Sequence, residues 1–314
     1  MTKTTDPTPS PAGRSRFLLH DAAPGGVAAV ALAPDAALEE RAGTGGRGAV
    51  LARLWNRYGG LVAVLAERTA LDPAVAIAVV SVESGGQPFG PDGRLLVRFE
   101  PHVFRRYLGT ARRREFDACF RLTGRVPWEG HAFRRTPADP WHPFHGAQRT
   151  EWAALEVARA IDDDLALRST SMGLAQVMGF NHARVGYRAP RAMFEAFAAD
   201  VRFQLVALFD FIRGEGAPSP ALEALHREDY VAFARAYNGP GQASYYGALI
   251  EADVAAFRAL QAPGRPRTYV VVAGDTLTRI ARRFGVPAAA IVRANTLANP
   301  DLIHSGQRLV IPSS

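Results

Sequence analysis

The stretch Asp72-Pro73-Ala74-Val75-Ala76-Ile77-Ala78-Val79-Val80-Ser81-Val82-Glu83-Ser84-Gly85-Gly86 decides the fold. Asp72 is an N-cap, and Pro73 suits the first helical position because its fixed φ is helical and its missing N–H would be unpaired there anyway. The helix runs from Pro73 to Glu83 and stops at Ser84-Gly85-Gly86. Ile77, Val79, Val80 and Val82 make it apolar, yet it ends on a carboxylate. Apolar neighbours desolvate that carboxylate, and the negative end of the helix dipole opposes its charge. Burial moves a carboxyl by up to roughly 3–5 pK units, whereas the dipole contributes about 0.3–1 kcal/mol, so desolvation dominates. Glu83 thus reads as a candidate general acid, with Gly85 and Gly86 leaving room for a ligand; the plainer alternative is a Glu at a frayed, wet helix end.

Upstream, Leu51, Leu54, Tyr58, Leu61, Val62 and Leu65 recur at helical spacing from Ala49 onward. Residues 1–46, rich in Pro, Gly, Thr and Ala, read as a flexible leader. Downstream, Pro91-Asp92-Gly93 signals a turn, and Leu95–Glu100 is strand-like, with Leu95, Val97 and Phe99 on one face. A helix is expected near His102–Tyr107, then an irregular lobe with short helices over residues 109–146. Further helices are expected over Glu151–Ile161, Gly173–Val177, Pro190–Arg213 (with breaks), Arg227–Tyr237 and Tyr245–Leu260. Residues 47–260 therefore form a mainly α domain with minor β structure (α+β). Gln261-Ala262-Pro263-Gly264-Arg265-Pro266-Arg267 is a linker. Residues 268–314 hold strand Tyr269–Val272, helices Leu277–Phe284 and Ala288–Ala294, and strand Arg308–Ile311, a small βααβ module.

Hydrophobic residues make up 48% of the chain and charged ones 21%, the balance of a globular protein. The formal net charge of +7 favours anionic polymers. No helix-turn-helix, zinc-finger or aromatic-strand pattern points to nucleic acid, so none is expected as a partner. The one cysteine, Cys119, excludes an intrachain disulfide and reads as an apolar residue beside Phe116 and Phe120. No apolar run reaches the ~18 residues of a membrane span, and no membrane insertion is expected. The short run Val27–Ala33 follows Arg14 and Arg16, but Asp21, Pro24, Gly25 and Gly26 spoil a cleaved secretory signal. The expectation is a monomer made in the cytoplasm, without a cofactor. His131, His142 and His145 fit no tight ligand spacing, so no metal is expected.

The last module resembles the LysM family. The residues concerned are Tyr269-Val270, Gly274-Asp275-Thr276-Leu277, Ile280-Ala281, Phe284-Gly285-Val286, Asn295, Gly306-Gln307-Arg308-Leu309 and Ile311-Pro312. Such domains bind N-acetylglucosamine-containing glycans. The resemblance places sugar between the loop of Gly274, Asp275 and Thr276 and that of Asn299, Pro300, Asp301 and Ile303. Most of the motif is nevertheless scaffold. From Arg267 to Ser314 there are six Arg against Asp275 and Asp301, which favours an anionic wall.

Three motifs in the larger domain occur in the order used by lysozyme-like muramidases and lytic transglycosylases. They are Val82-Glu83-Ser84, Gly173-Leu174-Ala175-Gln176 with Met178, and Ala236-Tyr237-Asn238-Gly239-Pro240-Gly241. Arg98-Phe99-Glu100 with His102 and Phe104, Ser169-Thr170-Ser171-Met172, and Met178-Gly179-Phe180-Asn181 make the chain more specifically similar to the N-acetylmuramidase domain of modular phage endolysins. The resemblance implies cleavage of peptidoglycan glycan strands with Glu83 as the acid, acting at the cell wall after release or delivery. It leaves open a lytic transglycosylase, or a wall-binding protein without activity. Glycoside cleavage needs a carboxyl protonated near neutral pH to protonate the leaving oxygen.

Glu100 is the candidate second carboxylate; the alternatives are an ion pair with Arg98, Arg105 or Arg106, or a tie to the helix at His102. Ser171 and Asp162–Asp164 are other groups able to activate water, the aspartates reading chiefly as a charged helix-end patch. Ser171, Gln176, Asn181, Tyr237 and Asn238 are substrate-contact candidates, because amides bond N-acetyl and hydroxyl groups and Tyr stacks on sugar.

Overall fold

α1 (Arg47–Thr69) and α2 (Pro73–Ser84) are joined by a tight turn. The computed structural model describes residues 26, 29–38, 46–84, 87–126, 129–214, 218–261 and 267–312. Ala70 takes a left-handed φ of 55° and Leu71 N–H returns to Ala66 O at 2.9 Å, which stops α1. Asp72 Oδ1 accepts Ala74 N–H at 2.8 Å, capping α2 as the sequence requires. Ala74 through Val80 are at most 1% exposed, because a helix apolar on every side belongs inside a core. Around it pack α1, α8 (Val201–Arg213), α9 (Pro220–His226), α10 (Tyr230–Asn238) and α11 (Ala243–Gln261).

A second core lies beneath a three-stranded antiparallel sheet of β2 (Val97–Phe99), β6 (Thr170–Met172) and β7 (Val177–Met178). Val97 pairs with Met172, and Phe99 with Thr170. Leu95, Val97 and Phe99 are buried, so the expected alternation holds. Gly173–Val177 is not helical as expected: residues 173–176 are the turn into β7, which Val177 begins, and strands this short carry no legible period. α3 (Pro101–Leu108), α5 (Gln148–Ile161), α6 (Asp163–Arg168) and α7 (Pro190–Ala199) cover this core. The expected break in Pro190–Arg213 falls at Asp200, whose side chain caps α8 by accepting Arg202 N–H at 2.9 Å.

The lobe over residues 109–146 is more regular than expected. α4 (Arg113–Cys119) leads into a sheet of β3 (Phe120–Leu122), β4 (His131–Phe133) and β5 (His142–Pro143). Phe99, Phe104, Phe116, Phe120, Phe133 and Phe144 interlock beneath it, with Phe116 and Phe120 stacked at 5.4 Å. Cys119 packs partly buried on this cluster, and burial pushes its thiol pKa up, as befits an apolar residue.

The last module pairs β8 (Arg267–Val270) with β9 (Arg308–Ile311), Tyr269 opposite Leu309, under α12 (Leu277–Phe284) and α13 (Ala288–Asn295). β8 starts two residues earlier than expected. Leu277, Ile280 and Ala281 are buried against the sheet. Asn295 braces β9: its Nδ2 donates to Val310 O at 2.7 Å, and its Oδ1 accepts Val310 N–H at 2.6 Å. Of the linker, residues 262–266 lie outside the described residues.

The leader departs most from expectation. Residues 1–25, 27–28 and 39–45 lie outside the described residues, but residues 29–38 lie on α1. Gly60 N–H donates to Leu32 O at 2.9 Å, Leu38 N–H to Asn56 Oδ1 at 2.6 Å, and Asn56 Nδ2 to Leu38 O at 2.9 Å. β1 (Ala37–Leu38) then joins the last module's sheet in the order β1-β8-β9, while Asp35 pairs with Arg283. Backbone pairing of this kind needs no apolar period, so composition did not reveal it. A Cβ on Gly60 would come within 2.2 Å of Ala33 O, which explains a glycine inside a helix. Gly60→Ala is therefore expected to detach the leader. Limited proteolysis of the variant should cut within residues 29–38, where the wild type resists.

Candidate functional site

α2 delivers Glu83, half-buried, to the end of the first core, and α10 brings Asn238 against it. Asn238 Nδ2 donates to Glu83 Oε1 at 3.0 Å. Burial pushes the Glu83 carboxyl up to about 7, against the hydrogen bond from Asn238, which favours the anion. Near neutral pH the group is thus divided between acid and carboxylate, as proton donation and recovery require. Asn238→Ala removes a contact to the anion. It is expected to move the alkaline limb of any Glu83-dependent activity to higher pH, read from a pH–rate profile.

Tyr237 is partly buried, stacked on Phe233 (5.4 Å between centroids, 22°) and edge-on to Phe211 (5.4 Å, 80°). Burial first, then the Glu83 charge, push its phenol pKa up, so it stays neutral. Phe233 and Phe211 hold this ring in place. Ser171 on β6 is 6% exposed, and its hydroxyl donates to Gln176 Oε1 at 2.9 Å. Gln176 Nε2 donates to Gly173 O at 2.8 Å, and its backbone is left-handed, with φ 47°. These two side chains bond each other and set the turn between β6 and β7. Asn181 is half-buried in the short helical turn Gly179–Asn181.

Sequence reasoning missed Gln204. It is 1% exposed on α8; its Oε1 accepts Leu174 N–H at 2.6 Å, and its Nε2 donates to Phe197 O at 2.8 Å. It pins the Gly173-Leu174 turn. The available signal was an amide inside the apolar run Phe203-Gln204-Leu205-Val206.

The structure does not join Glu100 to Glu83: among the described residues, no hydrogen bond or ion pair links them. Arg98 Nε donates to Glu100 Oε1 at 2.8 Å, one of the alternatives the sequence left open. Glu100 precedes α3, and its Oε2 lies 3.5 Å from His102 Nδ1. Burial pushes the His102 pKa down, outweighing the Glu100 charge. The fold also brings His131 and His145 to Glu100, with ligand atoms of all three within 4.8 Å of one another. The three are far apart in sequence, which hid this grouping. Asp162 caps α6 and takes Arg112 at 2.7 Å; Asp163 takes Arg159 and Asp164 takes Arg168, each at 2.6 Å. These aspartates form the charged patch expected of them.

In the last module a groove of about 520 Å³ is lined by Asp275, Thr276, Pro300, Asp301 and Ile303, five of the candidate contacts, together with Ala289 and Arg293. Asp275 is scaffold: its Oδ2 accepts Tyr269 Oη–H at 2.6 Å and Val272 N–H at 2.9 Å, and these bonds hold its carboxyl below the usual range. Asn299 Oδ1 accepts Asp301 N–H at 3.0 Å, closing the opposite loop, and Thr276 caps α12. Gly274 has φ +87°, a backbone that favours glycine.

The family model for N-acetylmuramidase matches residues 72–258, and that for the LysM domain residues 269–312. One stretch is 43% identical over 51 residues to a secreted LysM effector of Passalora fulva, covering 16% of this chain and 22% of that protein. Another is 47% identical over 55 residues to an N-acetylmuramoyl-L-alanine amidase of Bacillus subtilis strain 168, covering 18% of each. The chain thus spans less than a quarter of the length of these curated relatives. The fold is similar to the crystal structure of a Burkholderia AP3 phage endolysin, at a TM-score of 0.51 and 28% identity, covering 63% of this chain and 70% of that one. With its first match taking in more than half of the chain, the protein belongs to the N-acetylmuramidase family and carries a LysM domain after that match.

Proposed function

We propose that this protein hydrolyses peptidoglycan, cutting the β-1,4 bond between N-acetylmuramic acid and N-acetylglucosamine, with Glu83 as the general acid. The observation that carries this reading is the Glu83 carboxyl, held near neutrality by burial at the end of α2 and met by Asn238 at 3.0 Å. Protonated Glu83 gives its proton to the leaving glycosidic oxygen. Asn238 then stabilises the carboxylate, which recovers a proton from the incoming water as the water oxygen bonds the anomeric carbon freed by the leaving group. The turn held by Ser171, Gln176 and Gln204 positions the neighbouring strand. The LysM groove holds the same polymer, and its arginines add attraction to an anionic wall.

Mass spectrometry of fragments released from purified peptidoglycan tests the reaction. Hydrolysis yields muramic acid with a free reducing end. Anhydro-muramyl ends in their place would assign the reaction to a transglycosylase. Truncation after Gln261 is expected to lower retention on purified sacculi by at least about tenfold, as loss of one of two linked binding sites does. Turnover of short soluble glycan fragments should change little. Equal retention in a pelleting assay would remove the wall-holding role of the LysM domain.

A further inference from the structure

We propose that Glu100, His131 and His145 form a zinc site that staples the lobe of β3–β5 to the end of β2. The three come from separate segments, the residue before α3, strand β4 and the chain just after β5, and their ligand atoms lie within 4.8 Å of one another. Two imidazoles and one carboxylate are a common donor set for Zn²⁺, leaving a fourth position for water.

Four features set this cluster apart from a chance grouping. First, His145 Nδ1 and Glu151 Oε1 are 2.7 Å apart, and Glu151, only 4% exposed, is itself fixed by accepting Phe99 N–H at 3.1 Å. A carboxylate behind an imidazole sets the tautomer and turns the lone pair of Nε2 toward the cluster, the usual outer support of a metal-bound His. Second, His145 Nε2 faces His131 Nδ1 at 2.5 Å, short for an N–H···N bond. Lone pairs directed at one ion would settle about 3.3 Å apart, from tetrahedral bonds of ~2.0 Å. Third, Arg98 occupies only Oε1 of Glu100; Oε2 is buried without a hydrogen-bond partner, and His102 Nδ1, itself without one, stays 3.5 Å away. A buried carboxylate oxygen without a partner is costly, and a cation removes that cost. Fourth, His145 holds a left-handed backbone at φ 77°, a conformation uncommon for a side-chain-bearing residue.

A His₂Glu set with an open fourth position is more usual of catalytic zinc, but the burial of this site assigns it a structural role. His131 is 3% exposed, and the ion would lie within the aromatic lobe, where His131 and Phe144 rings pack at 5.9 Å. The lobe's strands are two or three residues long and supply few ladder bonds of their own.

The test uses the untagged full chain, dialysed with excess zinc and then against metal-free buffer. Elemental analysis should find about one zinc per chain, falling below about one-tenth in His145→Ala and Glu100→Gln, as loss of a ligand requires. His142→Ala, on exposed β5, should keep its zinc. Chelation should lower the melting temperature of the wild type, and added zinc should restore it. Cobalt exchanged into the wild type should show the visible bands of a low-coordinate site, a readout that needs no variant to fold. A wild type that retains no zinc and melts identically with and without chelator overturns the proposal and leaves a Glu–His–His hydrogen-bonded chain. Zinc retained undiminished by both variants overturns it as well, by placing the ion elsewhere.

Discussion

Glu83→Gln is expected to lower peptidoglycan cleavage by about 10²–10⁴-fold, the contribution of a positioned general acid, while wall binding persists through the LysM domain. Gln keeps the shape of the acid and can still meet Asn238, but it has no proton to give. Turbidity loss of permeabilised cells, normalised to bound protein, reads the difference; equal clearing by both proteins would remove Glu83 from the chemistry. Stability should move the opposite way. The Glu83 carboxyl titrates near 4.5 in the unfolded chain and at about 7 in the folded one. Its contribution is fully present below about 4.5 and is lost as pH rises through about 7, because the folded state must then bury a charge. Glu83→Gln should therefore melt above the wild type in alkaline buffer, with the gap closing in acid. A gap that widens in acid contradicts the assigned direction.

Gly179→Ala is expected to be the most damaging single-methyl change near the site. A Cβ there would come within 1.9 Å of Leu167 O and 2.7 Å of Leu167 C, both backbone atoms at the end of α6. Neither can rotate away, so the Gly179–Asn181 turn must separate from α6. Overpacking of this severity costs about 3 kcal/mol. At about 2–4 °C per kcal/mol for a domain of this size, that lowers the melting temperature by roughly 6–12 °C. Gly241→Ala is the control. Its Cβ meets nothing within 4 Å and its φ lies outside the left-handed region, so only a small change in melting temperature is expected. Equal melting temperatures for the two variants would show that the close approach to Leu167 is not maintained.

Much of the architecture was readable where local chemistry determines it. Asp72-Pro73 marks a helix start whatever surrounds it, and the apolar run behind it dictates burial of α2. The LysM segment was readable because its turn, caps and apolar positions all point to one arrangement. Asn238 was named from its motif, and its bond to Glu83 spans 155 residues. What escaped depends on pairing between distant segments. The β3–β5 strands are too short to show alternation. β1 joins the LysM sheet through backbone pairing, which leaves no apolar period to read. Gln204 looks like any polar residue in a helix until its two backbone partners are in place. Tyr237 was named from its motif, and the packing of Phe211 and Phe233 on its ring could not be read from the sequence.

A carbon-13 NMR titration of the Glu83 carboxyl in the full chain, assigned by comparison with Glu83→Gln, is the most direct measurement of the central claim. The account predicts a midpoint of about 7. A midpoint near 4.5, the value of a solvated glutamate, would contradict it.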